Sequence, residues 1–270
     1  MFVAMSMIPA GDSAGKLLSG SLGVAPVFVA WSRFIIGAGL LLPFVPRGTW
    51  ALFRDWRLWL RAATLACGIT CIQIALQTEA IATVFAAFFI GPMFSYVLAT
   101  LFLRERITVL RSALILLGFI GVLLVVRPGI DSGGGGGRLI FAVAAGLFYG
   151  VFLTMSRWLS AVATPLAMTF TQLAISALLL LPLGLINLPP ATAPIAALAG
   201  ISALFSMLGN LLLLYAYRIA PATRLAPLVY FQLIAAVLLG LVLFNTLPDT
   251  LTWVGLAVII TAGITSARLR

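Results

Sequence analysis

An all-α membrane protein is the fold class this sequence predicts, with ten transmembrane helices arranged as two inverted five-helix repeats. Three observations predict it: 8% charged residues against 63% hydrophobic ones, ten apolar runs of bilayer length, and a likeness between the two halves. An average soluble domain is about 25% charged. A chain of 270 residues with 16 basic and 6 acidic side chains cannot coat a water-facing surface. Soluble, disulfide-stapled secreted and disordered classes are therefore excluded. With no histidine in the chain, imidazole catalysis and His-ligated metals go with them.

Each span needs about 20 apolar residues. The runs fall near 1–20, 26–46, 58–78, 82–103, 108–126, 138–157, 165–187, 194–217, 222–244 and 250–267. They lack sustained period-2 alternation, which argues against barrel strands. The first run has no basic leader and holds Asp12 and Lys16, so it reads as a retained span rather than a cleaved signal.

Orientation follows from Lys and Arg. The connections after the second, fourth, sixth and eighth spans hold Arg47, Arg54, Arg57, Arg61, Arg104, Arg106, Arg111, Arg157, Arg218 and Arg224, and Arg268 and Arg270 end the chain on that side. The opposite connections hold Arg127 and Arg138, beside Glu79, Asp131 and Asp249. Both termini are expected in the cytoplasm. The net charge of +10 is then a topogenic signal facing anionic lipid, not a nucleic-acid surface.

A run of five glycines, Gly133 to Gly137, lies in the longest outer connection and has the composition of a flexible linker. It divides the chain into a first repeat over 1–130, a linker over 131–137 and a second repeat over 138–270. The halves resemble each other at an offset of about 140 residues: FVAMSMIPAG from Phe2 aligns with FAVAAGLFYG from Phe141, and GPMFSYVLATLFLRERIT with YFQLIAAVLLGLVLFNTLPDT. With five spans per half, the second copy must be upside down, and Lys16 and Arg157 then lie at opposite faces. Inverted repeats of this kind mark secondary transporters, whose halves rock around a midplane site. Gly11-x-x-x-Gly15 and Gly146-x-x-x-Gly150 stand on the first helix of each half, a spacing that lets helices approach closely and that chance also produces in a chain with 25 glycines.

The Lys16-bearing first span, Pro26 to Arg33 opening the second, and Ala80, Pro92, Glu105-Arg106 and Gly121 across the fourth and fifth carry a family resemblance. The chain resembles the drug/metabolite transporter superfamily, EamA type, over nearly its whole length. In the second copy Pro248, Gly255 and Gly263 fit, while Asn245 or Thr246 stands where the family has an acidic residue. The resemblance implies a bacterial inner-membrane exporter of amino acids or similar small metabolites, working by alternating access. Sugars and cationic drugs are the other cargo within the superfamily. An intramembrane enzyme is disfavoured, because six acids offer no paired catalytic carboxylates at matching depth; a channel or scaffold is the remaining alternative. PAGDSAGKLL at 9–18 departs from a phosphate loop at Ala10 and Leu17, so ATP-driven transport has no support. No cofactor or metal is expected. The expected partners are a small-molecule substrate and membrane lipid, with a monomer sufficient.

Charges inside spans cost about 2.5–3.5 kcal/mol on insertion scales and are functional candidates by default. Asp12 and Lys16 lie four apart on one face, and Arg33 enters at similar depth. Either Asp12 takes a proton or a substrate ammonium while a cation meets a carboxylate, or the cluster positions helices and Lys16 snorkels outward. Thr70, Gln73 and Gln77 share one face of the third span, and Ser206 and Asn210 one face of the eighth; these line a cavity or hold helices together. Phe85, Phe89, Pro92 and Tyr96 descend one side of the fourth span beside Met93, as cavity wall or as packing. Pro92 and Pro227 are expected to kink their helices. Tyr149 and Tyr230 bring hydroxyls from the second half. Glu105 reads as an interface ion pair, Cys67 and Cys71 as packing residues, and Trp50, Trp56 and Trp59 as an interfacial belt.

Overall fold

The computed structural model describes residues 1–79, 81–104, 108–126, 138–229, 231–245 and 250–268, without the side chains at 82, 83, 86, 111, 122, 125, 126, 223, 226, 227, 252, 263 and 266–268. The glycine linker, Glu105, Arg106, Arg127, Tyr230, Thr246, Pro248 and Arg270 lie outside the described residues, as does the side chain of Pro227. Among the described residues every regular element is helical.

Twelve α-helices follow one another: α1 Phe2–Lys16, α2 Pro26–Leu41, α3 Trp56–Leu76, α4 Ile81–Phe88, α5 Ile90–Leu103, α6 Val109–Val126, α7 Leu139–Trp158, α8 Pro165–Ile186, α9 Ala193–Ile219, α10 Ala222–Val229, α11 Phe231–Phe244 and α12 Thr250–Arg268. Among the described residues, five stretches, Pro26–Phe44, Trp56–Leu76, Leu139–Trp158, Pro165–Ile186 and Ala193–Ile219, are long and apolar enough to cross a bilayer. Shorter apolar helices fill in between them. Outward-facing side chains such as Val109 (89% exposed) and Phe102 (75%) fit lipid, where every backbone group must be bonded within its own helix.

Sequence chemistry sets the helix ends. Proline, which has no N–H to waste in a first turn, stands at the start of α2 and α8. The Asp55 carboxylate accepts from the Arg57 N–H at 3.0 Å and caps α3. The Arg57 guanidinium also bonds it, holding that carboxyl below its ordinary range. Upstream of Asp55, a 3₁₀ segment Arg47–Arg54 carries Trp50, which stacks on Phe53 and meets Phe170 edge-on. Trp50 and Trp56 are exposed, as an interfacial belt requires.

One run expected as a single span is two helices. The run at 82–103 breaks at Phe89, where ψ is 4°. Pro92 lies three residues on. Its ring clashes with the carbonyl four residues back, that of Phe88, and it offers no N–H to that carbonyl. The kink expected at Pro92 therefore appears one turn earlier. In the run at 222–244, α10 and α11 stand on either side of residue 230, which lies outside the described residues.

Packing is symmetric when the halves are exchanged. α1 lies on α9 and α11 of the second half, and α7 lies on α3 and α5 of the first; α2 pairs with α8, and α6 with α12. α3 and α7 are antiparallel, since Arg61 meets Ser156 while Gly68 meets Phe148. Glycines make these crossings close. A Cβ on Gly11 would stand 2.9 Å from the Ser202 carbonyl oxygen on α9, one on Gly91 2.5 Å from that of Gly146, and one on Gly150 2.7 Å from that of Gly91. Both GxxxG pairs thus serve packing, and the pair on α7 receives the broken segment between α4 and α5. In lipid, where apolar burial between helices gains little, this close van der Waals approach is a main source of cohesion.

Candidate functional site

The site begins with three charged residues in apolar helices. Asp12 and Arg33 are 2% and 1% exposed. Arg33 Nη1 donates to Asp12 Oδ1 at 2.5 Å, and Gln73 Nε2 donates to the same oxygen at 3.2 Å. Asp12 is therefore neutralised by Arg33 of α2 and not by Lys16, four residues along its own helix. Gly15 makes room for this, because a Cβ there would meet Gln73 Oε1 at 2.6 Å.

Lys16 turns outward to the end of α3. Its Nζ donates to the Leu76 carbonyl at 3.3 Å and the Glu79 carbonyl at 2.5 Å. The Leu76 carbonyl is among the orphan acceptors that a helix C-terminus leaves, and that of Glu79 lies in the turn beyond it. α1 continues beyond Lys16 as a wide π turn, Leu17–Ser21, a feature that accompanies functional positions in helices.

At the centre, both halves contribute to one small cavity of about 30 Å³, lined by Ile8 and Asp12 of α1, Thr64, Leu65, Gly68, Ile69 and Ile72 of α3, Phe88 of α4, Tyr149 of α7 and Asn210 of α9. That volume suits about one or two water molecules. Ligand pockets run to about 300–1,000 Å³, so this cavity is smaller than a solute site. Around the cavity, buried bonding capacity goes unused. Among the described residues, Arg33 Nε and Nη2, Gln73 Oε1 and Asn210 Oδ1 have no hydrogen-bond partner. Buried polar atoms are nearly always bonded, and exceptions call for a reason such as a ligand or ordered water.

The other expected residues are placed as follows. Thr70 donates to the Ala66 carbonyl at 2.8 Å, along its own helix. Gln77 Oε1 accepts from Arg138 Nη1 at 2.8 Å, tying the α3 end to the start of α7. Phe85 and Phe89 are buried against Phe88, which stacks obliquely on Tyr149 at 4.7 Å. Pro92 is buried and Met93 half-buried. The Tyr96 hydroxyl bonds that of Ser112 at 2.8 Å, away from the cavity lining. Gln232 Nε2 donates to the Tyr149 hydroxyl at 3.2 Å and lies 3.0 Å from Met5 Sδ. Ser206 O accepts from Asn210 Nδ2 at 2.8 Å. So Asp12, Tyr149 and Asn210 meet at the cavity, Gln73 stands behind Asp12, and Lys16, Thr70, Gln77 and Tyr96 bond elsewhere.

Sequence reasoning did not single out Thr64, Gly68 or Phe88. A half turn of small residues at Ala62, Ala63 and Thr64 was the available signal. Arg61 is also differently placed than expected. Read from sequence as a charge of the second connection, it is 1% exposed inside α3. Its Nε donates to Ser156 Oγ at 3.0 Å, and its guanidinium lies 4.8 Å from the Phe152 ring centroid. At the same end, Arg157 Nη1 donates to the Tyr217 carbonyl at 2.9 Å.

Comparison with known proteins adds independent evidence. A crystal structure superposes with a TM-score of 0.73 at 16% identity, covering 98% of this chain and 96% of the other, and so shares the fold. The chain is 29% identical over 278 residues to a riboflavin transporter of Brucella anthropi, covering 98% of this chain and 95% of that one. It is 27% identical over 255 residues to an S-adenosylmethionine uptake transporter of Rickettsia conorii, covering 92% and 86%. The profile of one family matches twice in tandem, at residues 4–127 and again at 137–266, the same two stretches that the symmetric packing relates. The chain belongs to the EamA-like transporter family.

Proposed function

We propose that this transporter is a secondary carrier of small amphipathic metabolites, working by alternating access across the bacterial cytoplasmic membrane. The reading has ten spans, α4 with α5 and α10 with α11 each counting as one, in two inverted repeats over 1–130 and 138–270. Both termini face the cytoplasm. The observation that carries it is the charged and amide cluster of Asp12, Arg33, Gln73 and Asn210, buried at the junction of the halves with bonding atoms unused. A purely structural core would close those valences. A site that opens to solute would leave them for cargo.

Candidate cargo classes are amino acids, from the sequence reading, and adenosyl- or flavin-type metabolites, for which two relatives are named. Asp12 is the candidate proton carrier if a pH gradient drives flux. Direction is an open arm of the test, since one relative is named for uptake and the sequence reading favours export. Purified protein in liposomes, preloaded with unlabelled solute, is expected to accumulate labelled S-adenosylmethionine, riboflavin or an amino acid by saturable counterflow. No saturable flux of any of them would remove the proposal. Conductance far above carrier rates would favour a channel.

A further inference from the structure

The N-terminal part of α3 holds a buried cation that the central site does not use. Arg61 Nε and Nη1 are bonded, to Ser156 Oγ at 3.0 Å and to the Met168 carbonyl at 3.4 Å. Nη2 is buried and has no hydrogen-bond partner among the described residues. The ion pairs among the described residues are Asp12–Arg33 and Asp55–Arg57, so no carboxylate balances Arg61 there. On α8, Met168 accepts from Arg61, and Ser176 Oγ donates to the Ala62 carbonyl at 3.1 Å. Gln172 stands midway between those two, four residues from each and on the same helical face. It is 1% exposed, and neither its Oε1 nor its Nε2 has a partner among the described residues. A guanidinium edge and a whole carboxamide are thus buried on facing helices with their bonding unfinished.

Position ties this pair to the transport path. Arg61 is one turn from Thr64 and Leu65 and two turns from Gly68, all of the cavity lining, and Thr64 Oγ1 donates to the Arg61 carbonyl at 2.8 Å. Charge points to the missing partner. Asp12 already has Arg33, so the uncompensated charge beside the cavity is positive, and a planar guanidinium is suited to bind a carboxylate through two parallel bonds.

Resting on the carrier reading above, we propose that Arg61 is a specificity residue for a carboxylate on the transported solute, with Gln172 as its companion donor. When α3 and α8 part, Nη1 and Nη2 take the two carboxylate oxygens, and Gln172 Nε2 adds a third bond. The site then prefers zwitterionic or anionic metabolites over neutral ones of similar size.

The test compares S-adenosylmethionine with its decarboxylated form, which lacks that one group, and with riboflavin, which has no carboxylate. In liposomes, wild-type protein is expected to show a KM for S-adenosylmethionine at least about tenfold below that for the decarboxylated form, as sites built around a polar partner do. Arg61→Gln is expected to bring that ratio to about one, and Gln172→Leu to lower it several-fold. A merely structural role would reduce both fluxes alike and leave the ratio where it was. Equal KM values in the wild type, an unchanged ratio in Arg61→Gln, or riboflavin carried in preference would overturn this proposal while the carrier reading stood. Absence of saturable flux for all three and for amino acids would overturn both. Should Arg61→Gln fail to reach the membrane, the wild-type ratio and Gln172→Leu decide.

Discussion

Lys16 and Arg157 perform one task at opposite ends of the molecule. Lys16, late in α1, donates to the carbonyls of Leu76, the last residue of α3, and of Glu79, three residues beyond it. Arg157, late in α7, donates to the Tyr217 carbonyl in the last turns of α9. In each half the first helix uses a basic residue to hold the C-terminus of the third spanning helix, where unpaired carbonyls and the helix dipole both favour a cation.

Cutting either hold is expected to open one end. In a Cys67→Ala, Cys71→Ala background with Ile72→Cys as reporter, Lys16→Ala should raise maleimide labelling several-fold from the Glu79 side. Arg157→Ala should raise it from the Tyr217 side; breaking one charged hydrogen bond of about 1.5–3 kcal/mol is enough to shift such an equilibrium. Equal labelling from both sides in either variant would show that these residues are not latches.

The Asp12–Arg33 pair should be worth more intact than halved. Asp12→Asn or Arg33→Gln alone leaves a buried unpaired charge or donor fork and is expected to cost about 3–5 kcal/mol in stability. The double variant should recover most of it. Thermal unfolding in detergent measures this. If flux depends on a pH gradient, Asp12→Asn should abolish that dependence, and its persistence would place the proton elsewhere.

Glycine crossings offer a cleaner stability test. Gly91→Ala places a methyl 2.5 Å from the Gly146 carbonyl oxygen, where backbone must yield, and is expected to cost about 1–3 kcal/mol as overpacking does. Gly39→Ala meets no atom within 4 Å and should be neutral or slightly stabilising, since alanine is the better helix former. Equal melting behaviour of the two variants would refute the close-approach account.

At the belt, Asp55→Ala should cost about 1 kcal/mol through loss of the α3 cap, and Asp55→Asn less, because asparagine also caps. Asp55 is held below its ordinary carboxyl range by Arg57. Its contribution is therefore present above the unfolded-state value of about 3.9 and is lost as pH falls through the lower folded-state value. Acid titration of melting temperature, wild type against Asp55→Asn, reads that difference.

Much of this architecture was legible because lipid allows few solutions. Long apolar runs can only be helices or barrel strands in a bilayer, and the likeness of the halves carried the repeat. Asp12 and Arg33 stood out as charges inside apolar runs. Arg61 did not, since a basic residue five places into a helix and near its end reads like a loop charge until neighbouring helices are seen to cover it. Phe88 and Gly68 carry no polar signal at all. The break at Phe89 is set by proline's clash with the carbonyl four residues back, so its cause was readable and its position was offset.

The crossing of α1 into the second half has a consequence for biogenesis. The Ser202 hydroxyl that donates to the Gly11 carbonyl is 191 residues downstream. At translation rates of about 5–20 residues per second, α1 waits roughly ten to forty seconds for that neighbour. Its carboxylate need not wait, because Arg33 arrives 21 residues later, on the next helix to be made. The ion pair can therefore act as an insertion device as well as part of the site, letting a nascent hairpin enter lipid already neutral, long before the helices that will bury it exist.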